Sequence, residues 1–190
     1  MRIAIDIDST LHHYWDRLSD AAQRRFGIDL PYEEQLDWGI TRLRPQQLHL
    51  CVRETHCDQA ILAGQPYPGA VKTVRAWHEA GHFIQIASHR DAATRAATER
   101  WLAQIGVPYD ELSCSHDKVG HCVDAGIDLL IDDSPDSLAR AIEHGILVAT
   151  IAHPWNRDLC EEEEDILCAG DWRELAALLE PVIARRAEAV

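Results

Sequence analysis

Short β-rich runs that stop at polar residues, with helical segments between them, limit this chain more than any other feature. The runs are Arg2 to Ile7, His82 to Ala87, Asp128 to Ile131 and Ile146 to Ile151, with a weaker one at Tyr109 to Ser113. Each is short, apolar and rich in β-branched residues, as expected of a strand buried on both faces. Between them lie helical patterns over Ala70 to Ala80, Ala92 to Gln104 after the N-cap Asp91, Lys118 to Ala125 after Asp117, and Pro135 to His144. Alternation of this kind predicts an α/β fold: a Rossmann-like parallel sheet with helices on both faces. A closing helix is expected from Trp172 to about Arg186, capped by Asp171, with Leu175, Leu178, Leu179 and Val182 on its apolar face.

The rhythm breaks between His12 and Pro68, where helical patterns and turn residues occur without a convincing strand. Leu11, Trp15, Leu18, Ala22 and Phe26 recur every three or four residues, so an amphipathic helix leads out of the first strand. Pro31, Gly39 and Pro45 then divide shorter helices, and Tyr67-Pro68-Gly69 returns the chain to the sheet. The expected organisation is a core of residues 1–11 and 69–190 with a small helical subdomain, residues 12–68, inserted after the first strand.

Composition narrows the partners. Asp and Glu outnumber Lys and Arg 32 to 18, and the net charge of −14 opposes extended contact with a nucleic-acid polymer or an anionic membrane. A small anion is still admissible, because one cation and a few aimed donors reverse the field locally. The opening Met-Arg-Ile-Ala-Ile-Asp meets a carboxylate too early for an export signal, and no apolar run approaches the roughly 20 residues of a membrane span. A cytoplasmic location is expected, with the six cysteines as free thiols. The acidic run Glu161 to Asp165 is read as a solvated loop, and the pattern does not specify an oligomeric state.

In an open parallel sheet, ligands collect beyond the carboxyl ends of the strands, so the residues that stop the apolar runs are the place to look for chemistry. The first run ends Asp6-Ile7-Asp8-Ser9-Thr10, the second at Ser88, and the fourth at Asp132-Asp133, while Lys118 opens a helix. Neither a GxGxxG fingerprint nor a GxxxxGK[ST] loop is present, which argues against a dinucleotide fold and a P-loop NTPase. Asp6, Asp8, Asp132 and Asp133 cannot all stay ionised in one crevice without a cation, and hard carboxylate oxygens select Mg²⁺. Lys118 and Ser88 can donate to the phosphate that such a site leaves room for, and His89 or Arg90, directly after Ser88, can assist an anion. Asp6 is then placed to attack phosphorus, and Asp8 to protonate the leaving oxygen and afterwards activate water.

These residues, in this order, resemble the four motifs of the haloacid dehalogenase (HAD) superfamily of phosphatases: Asp6-x-Asp8-x-Thr10, Ser88, Lys118, and Leu129 to Asp133. The resemblance implies Asp6 as nucleophile, Asp8 as acid/base, and Ser88 and Lys118 at the phosphate. It also implies that Asp6, the Asp8 carbonyl and Asp133 hold Mg²⁺ with Asp132 nearby, and that the insert is a small cap. A narrower resemblance, to the 5′(3′)-deoxyribonucleotidases, rests on Arg42-Leu43-Arg44-Pro45, Pro68 to Val71, Asp117-Lys118, Leu129 to Pro135 and Asp171-Trp172. It implies a nucleoside monophosphate substrate whose base is held by cap aromatics, with Tyr14 and Trp38 in positions similar to two of them. Glu54 to Ala60 carries no aromatic where the family has them. A sugar phosphate or another small phosphorylated metabolite is the alternative substrate. A non-hydrolytic phosphoacceptor of the response-regulator type fits less well, because its lysine follows its acidic residues in the chain, whereas Lys118 precedes Asp132-Asp133, and a catalytically dead binding module fits less well because no chemical group is missing.

Overall fold

The computed structural model describes residues 1–187. Six strands form one sheet: β1 (Arg2–Ile5), β2 (Phe83–Ser88), β3 (Glu111–Cys114), β4 (Leu129–Ile131), β5 (Leu147–Ile151) and β6 (Ile166–Ala169). Every pairing is parallel, and the spatial order is β3-β2-β1-β4-β5-β6. The chain builds outward from β1 on one side, then returns and builds outward on the other. The direction of winding therefore reverses at β1, which opens a crevice at the carboxyl ends of β1, β2 and β4.

Nine helices complete the described fold: α1 (Trp15–Phe26), α2 (Pro45–Thr55), α3 (Asp58–Leu62), α4 (Ala70–Glu79), α5 (Arg95–Ile105), α6 (Lys118–Asp124), α7 (Pro135–Glu143), α8 (Arg157–Glu162) and α9 (Trp172–Ala187). Period-two alternation sends Ile3, Ile5, Ile84, Ile86, Leu129 and Ile131 to one face of the sheet, against Trp101 of α5 and Trp172 of α9. Ala4, Ala87, Leu130 and Val148 face the other way, against Val119 of α6 and Leu138 of α7. A third cluster lies apart from both. Trp15, Leu18 and Ala22 of α1 pack there with Leu30, Leu43, Cys51 of α2, and Trp155. Helix starts are set locally: the Asp91 side chain accepts from Ala93 N at 2.8 Å, and Ser134 accepts from Ser137 N at 3.3 Å ahead of Pro135.

The structure departs from expectation in three places. β6 was not foreseen, since its four residues follow the acidic run Glu161 to Asp165, and the first two of those glutamates belong to α8. Residues 92–94 form a 3-10 turn before α5 begins. Leu178 is 38% exposed, and the buried stripe of α9 is Trp172, Leu175, Leu179 and Ile183. A stripe at that spacing is narrow enough to leave Leu178 on its shoulder. All six cysteines are free. None of the described helices is long and apolar enough to cross a membrane.

Candidate active site

The first strand delivers Asp6 directly into the crevice, where its N–H bonds to the Ile131 carbonyl at 2.9 Å and locks the end of β1 beside the end of β4. The chain then turns tightly: Thr10, Leu11 and His12 all donate their N–H groups to the Ile7 carbonyl. The turn needs a left-handed residue, and Ser9 takes that role at φ 64°. Its carbonyl accepts a 2.7 Å hydrogen bond from Nε2 of buried His153. A carbonyl can only accept, so His153 carries its proton on Nε2, and Nδ1 accepts from the Tyr32 hydroxyl at 2.6 Å. Burial pushes the His153 pKa down to about 4, and the imidazole lies flat on Trp155 with ring centroids 4.5 Å apart.

The turn places Asp6 and Asp8 in different fields. Lys118 donates Nζ to Asp6 Oδ1 and Asp132 Oδ2, both at 2.6 Å, with all three side chains buried. Asp132 Oδ1 also accepts from Ser134 N at 3.0 Å. Burial pushes the Asp6 pKa up to about 7, opposed by the Lys118 charge and reinforced by Asp132 and Asp8. Asp133 is likewise raised well above the usual carboxylate range, by burial first and then by Asp6 and Asp132. Asp8 goes the other way. Burial alone would raise it, but Arg90 clamps it, with Nη2 to Oδ1 at 2.7 Å and Nε to Oδ2 at 2.9 Å, and His56 Nε2 stands 3.3 Å from Oδ2. Together these hold Asp8 well below the usual range.

One group of described residues has the donor set for a metal ion: Asp6, Asp132 and Asp133, whose nearest carboxylate oxygens lie within 4.8 Å of one another. Three buried carboxylates share a single ammonium, so the excess negative charge fits a hard divalent cation. Lys118 and the Ser134 N–H already engage Asp132, which leaves Asp6 and Asp133 the freer ligands.

Above the carboxylates lies a cavity of about 440 Å³. Asp6, Asp8, His56, His89, Arg90 and Asp133 border its polar end, and Trp15, Trp38 and Trp155 contribute to an apolar wall. Ser88, at the end of β2, is buried and its Oγ accepts from Arg90 N at 3.2 Å, while His89 is exposed at the cavity's edge. Trp38 is 44% exposed, with its ring 6.3 Å from that of Trp155. Tyr14 borders the cavity too, but its hydroxyl is tied to Thr55 Oγ1 at 2.9 Å and its ring flanks His56 at 5.4 Å.

Arg90 is therefore a buried clamp on Asp8, itself bonded to Thr98 Oγ1 at 3.3 Å. Sequence reasoning did not single out His56, Gln35, Trp15 or Trp155 for this site. Trp155 follows the end of β5 by four residues, where the carboxyl-end rule applied again would have found it. His56 and Gln35 come from the helical insert, where no periodic signal marks a cavity residue.

A family model and a curated relative agree on one family, and solved structures share the fold. The model of the family described as 5′ nucleotidase, deoxy (Pyrimidine), cytosolic type C protein matches residues 1–187. A curated relative from Chlorobaculum tepidum, named "Putative 5′(3′)-deoxyribonucleotidase", is 26% identical over 194 residues, covering 95% of this chain and 91% of its own length. A haloacid dehalogenase-like hydrolase from Streptococcus pneumoniae has a similar fold, with TM-score 0.66, 16% identity and 97% of each chain covered. So has a HAD family hydrolase from Deinococcus radiodurans R1, solved with bound phosphate and sodium, with TM-score 0.64, 16% identity, and 98% of this chain and 96% of that one covered.

Proposed function

The chain belongs to the deoxy (pyrimidine) cytosolic type C 5′ nucleotidase family, a group of HAD-type phosphatases, and from that premise we propose that it hydrolyses (deoxy)nucleoside monophosphates through an aspartyl phosphate on Asp6 with Mg²⁺ as its metal. The observation that carries the reading is the geometry at the end of β1: Asp6 lies with Asp132, Asp133 and the Lys118 ammonium in a donor set that fits a metal ion, and Asp8, two residues on, borders the same cavity but is held apart from them by Arg90. Two carboxyl groups on one cavity in separate surroundings can take separate roles, one bonding to phosphorus and the other moving the proton.

In the proposed reaction an Asp6 carboxylate oxygen bonds to phosphorus as the bond from phosphorus to the nucleoside oxygen breaks, and Asp8 delivers the proton that oxygen needs. Water then attacks the phosphorylated Asp6, its proton passes to Asp8, and inorganic phosphate leaves with the Asp6 carboxylate restored. Lys118, Ser88 and His89 are the proposed phosphate contacts. Asp6, Asp133 and the Asp8 carbonyl, with Asp132 beside them, are the proposed metal site. A bound Mg²⁺ would neutralise the excess carboxylate charge and the charge on the phosphoryl oxygens. Residues 12–68 are proposed to act as the cap, with Tyr14 and Trp38 toward the base.

The test is turnover of a panel of nucleoside monophosphates, sugar phosphates and an aryl phosphate by the wild type and by Asp6→Asn, with Mg²⁺ and with excess chelator. Nucleotides are expected to lead the panel, and both Asp6→Asn and chelation to abolish turnover. Full activity in either overturns the mechanism. A sugar phosphate that outpaces every nucleotide overturns the substrate assignment and leaves the phosphatase.

A further inference from the structure

The cavity wall that faces away from the carboxylates is built mainly from Trp15, Leu18, Ile40, Leu48 and Val52, and one uncharged amide interrupts it, that of Gln35. Gln35 is only 8% exposed. Its Nε2 donates to the Asp37 carbonyl at 2.5 Å and to the Gly39 carbonyl at 3.0 Å, which staples the short loop that carries Trp38. Both partners are acceptors, so the orientation of the amide is fixed by chemistry: nitrogen faces the loop and oxygen faces away. The two N–H bonds are thereby spent. None of the described groups donates to Oε1, and it is not among the sealed, unpartnered polar atoms, so it is an accessible acceptor on a nearly buried residue that borders the cavity.

We propose that Gln35 is a specificity-determining residue, whose fixed Oε1 accepts a hydrogen bond from an N–H on the edge of the leaving group's heterocycle, as the ring N3–H of thymine or uracil offers. The inference rests on the nucleotide reading above and adds a chemical requirement to it. Because Gln35 cannot turn its amide without losing both loop carbonyls, it can accept from a ligand but not donate to it. A flat ring seated against the tryptophans without a donor at that edge strands an acceptor in an apolar wall. A site that makes a hydrogen bond to its substrate discriminates strongly against analogues that lack the donor.

The experiment compares kcat/KM of the full chain for thymidine 5′-monophosphate and its N3-methyl analogue, with p-nitrophenyl phosphate as a third substrate, in the wild type and in Gln35→Met. The wild type is expected to prefer the N3–H substrate by about 10-fold to 100-fold. In Gln35→Met the preference collapses toward unity because the thymidine nucleotide gets worse. Equal wild-type turnover of the two nucleotides overturns the inference, and that comparison stands even if the variant does not fold. A variant that loses activity on both nucleotides with the ratio intact reduces Gln35 to a loop staple and also overturns it. Collapse by a gain on the methylated substrate makes Gln35 a steric wall only, with the same consequence. Turnover of p-nitrophenyl phosphate with no nucleotide accepted is the separate signature that the nucleotide reading itself has failed.

Discussion

Replacing Lys118 by methionine removes the one ammonium among three buried carboxylates while keeping a side chain of similar length. Lys118 is 2% exposed, and its two partners, Asp6 and Asp132, are 6% and 0% exposed, so solvent cannot take its place. Breaking a buried pair by deleting one partner costs about 3–5 kcal/mol, because the other charge stays buried without compensation. The cost must depend on pH. The Asp6 pKa is already pushed up to about 7 with Lys118 present, and the lysine is the largest influence holding it down, so its removal raises Asp6 further. A carboxyl group whose folded pKa is raised binds a proton that the unfolded chain has released, so stability falls as pH rises from the unfolded carboxylate range to the folded pKa. In Lys118→Met that window extends above pH 7. The difference between wild type and variant should therefore grow there by up to about 1.4 kcal/mol per pH unit. Urea denaturation with chelator present, at several pH values from 6 to 9, reads this directly, and turnover should be lost throughout. A cost below about 1 kcal/mol at pH 8 with no pH dependence would refute the argument, since it would mean that Lys118 does not neutralise the acidic cluster.

Asp8→Asn should slow hydrolysis far more for alkoxide leaving groups, such as a nucleoside, than for an aryl phosphate that leaves without a proton; equal losses on both would reduce Asp8 to a structural or metal-positioning role. Trp38→Ala should lower kcat/KM on nucleotides by an amount equivalent to about 1–3 kcal/mol, the range for a base stacked on an aromatic ring, and should affect an aryl phosphate less; steady-state kinetics on the two substrates checks it. Burial holds His153 near pKa 4 against 6.5 for a free histidine, so the unfolded chain binds a proton there first and stability is lost as pH falls from about 6.5 to 4. His153→Gln should flatten that slope by about 1.4 kcal/mol per pH unit in denaturant titrations between those limits, and an unchanged slope would mean that His153 is not held neutral.

The parallel sheet was legible because doubly buried strands announce themselves as continuous apolar runs, and their polar stops mark the crevice without further information. β6 escaped because Ile166 to Ala169 is short, lies at the sheet edge, and follows five consecutive acids that read as solvent. Asp6, Asp8, Asp132 and Lys118 could be named from the sequence since each sits at the end of a strand or the start of a helix. The partners of Asp8 could not. Arg90 was visible as an anion contact, but its turn back onto Asp8 depends on Thr98 and on the tertiary course of α5. His56 reaches the same carboxylate from the end of α2, thirty-four residues before Arg90, and no pattern in the insert signals that meeting.

The loop after β1 explains how two carboxyl groups so close in sequence come to opposite states. Asp6 still lies in line with the strand, so it faces the end of β4 and shares its acids. Two residues later the chain has begun to reverse, with Ser9 in the left-handed region and Ile7 collecting three N–H donors, and Asp8 meets the loop after β2 and the helical insert. There it meets a guanidinium from the core and an imidazole from the insert. In the second half of the proposed reaction Asp8 is ionised, as taking a proton from water requires, although the same clamp lowers its affinity for that proton. The first half asks Asp8 for a proton that Arg90 discourages it from keeping. His56 is the only one of its two partners carried by the insert, so the position of the insert over the core bears on whether Asp8 is held by one cationic clamp or by two partners together. In the proposed reaction the work of Asp8 is thereby tied to the same segment, residues 12–68, that supplies much of the cavity's lining.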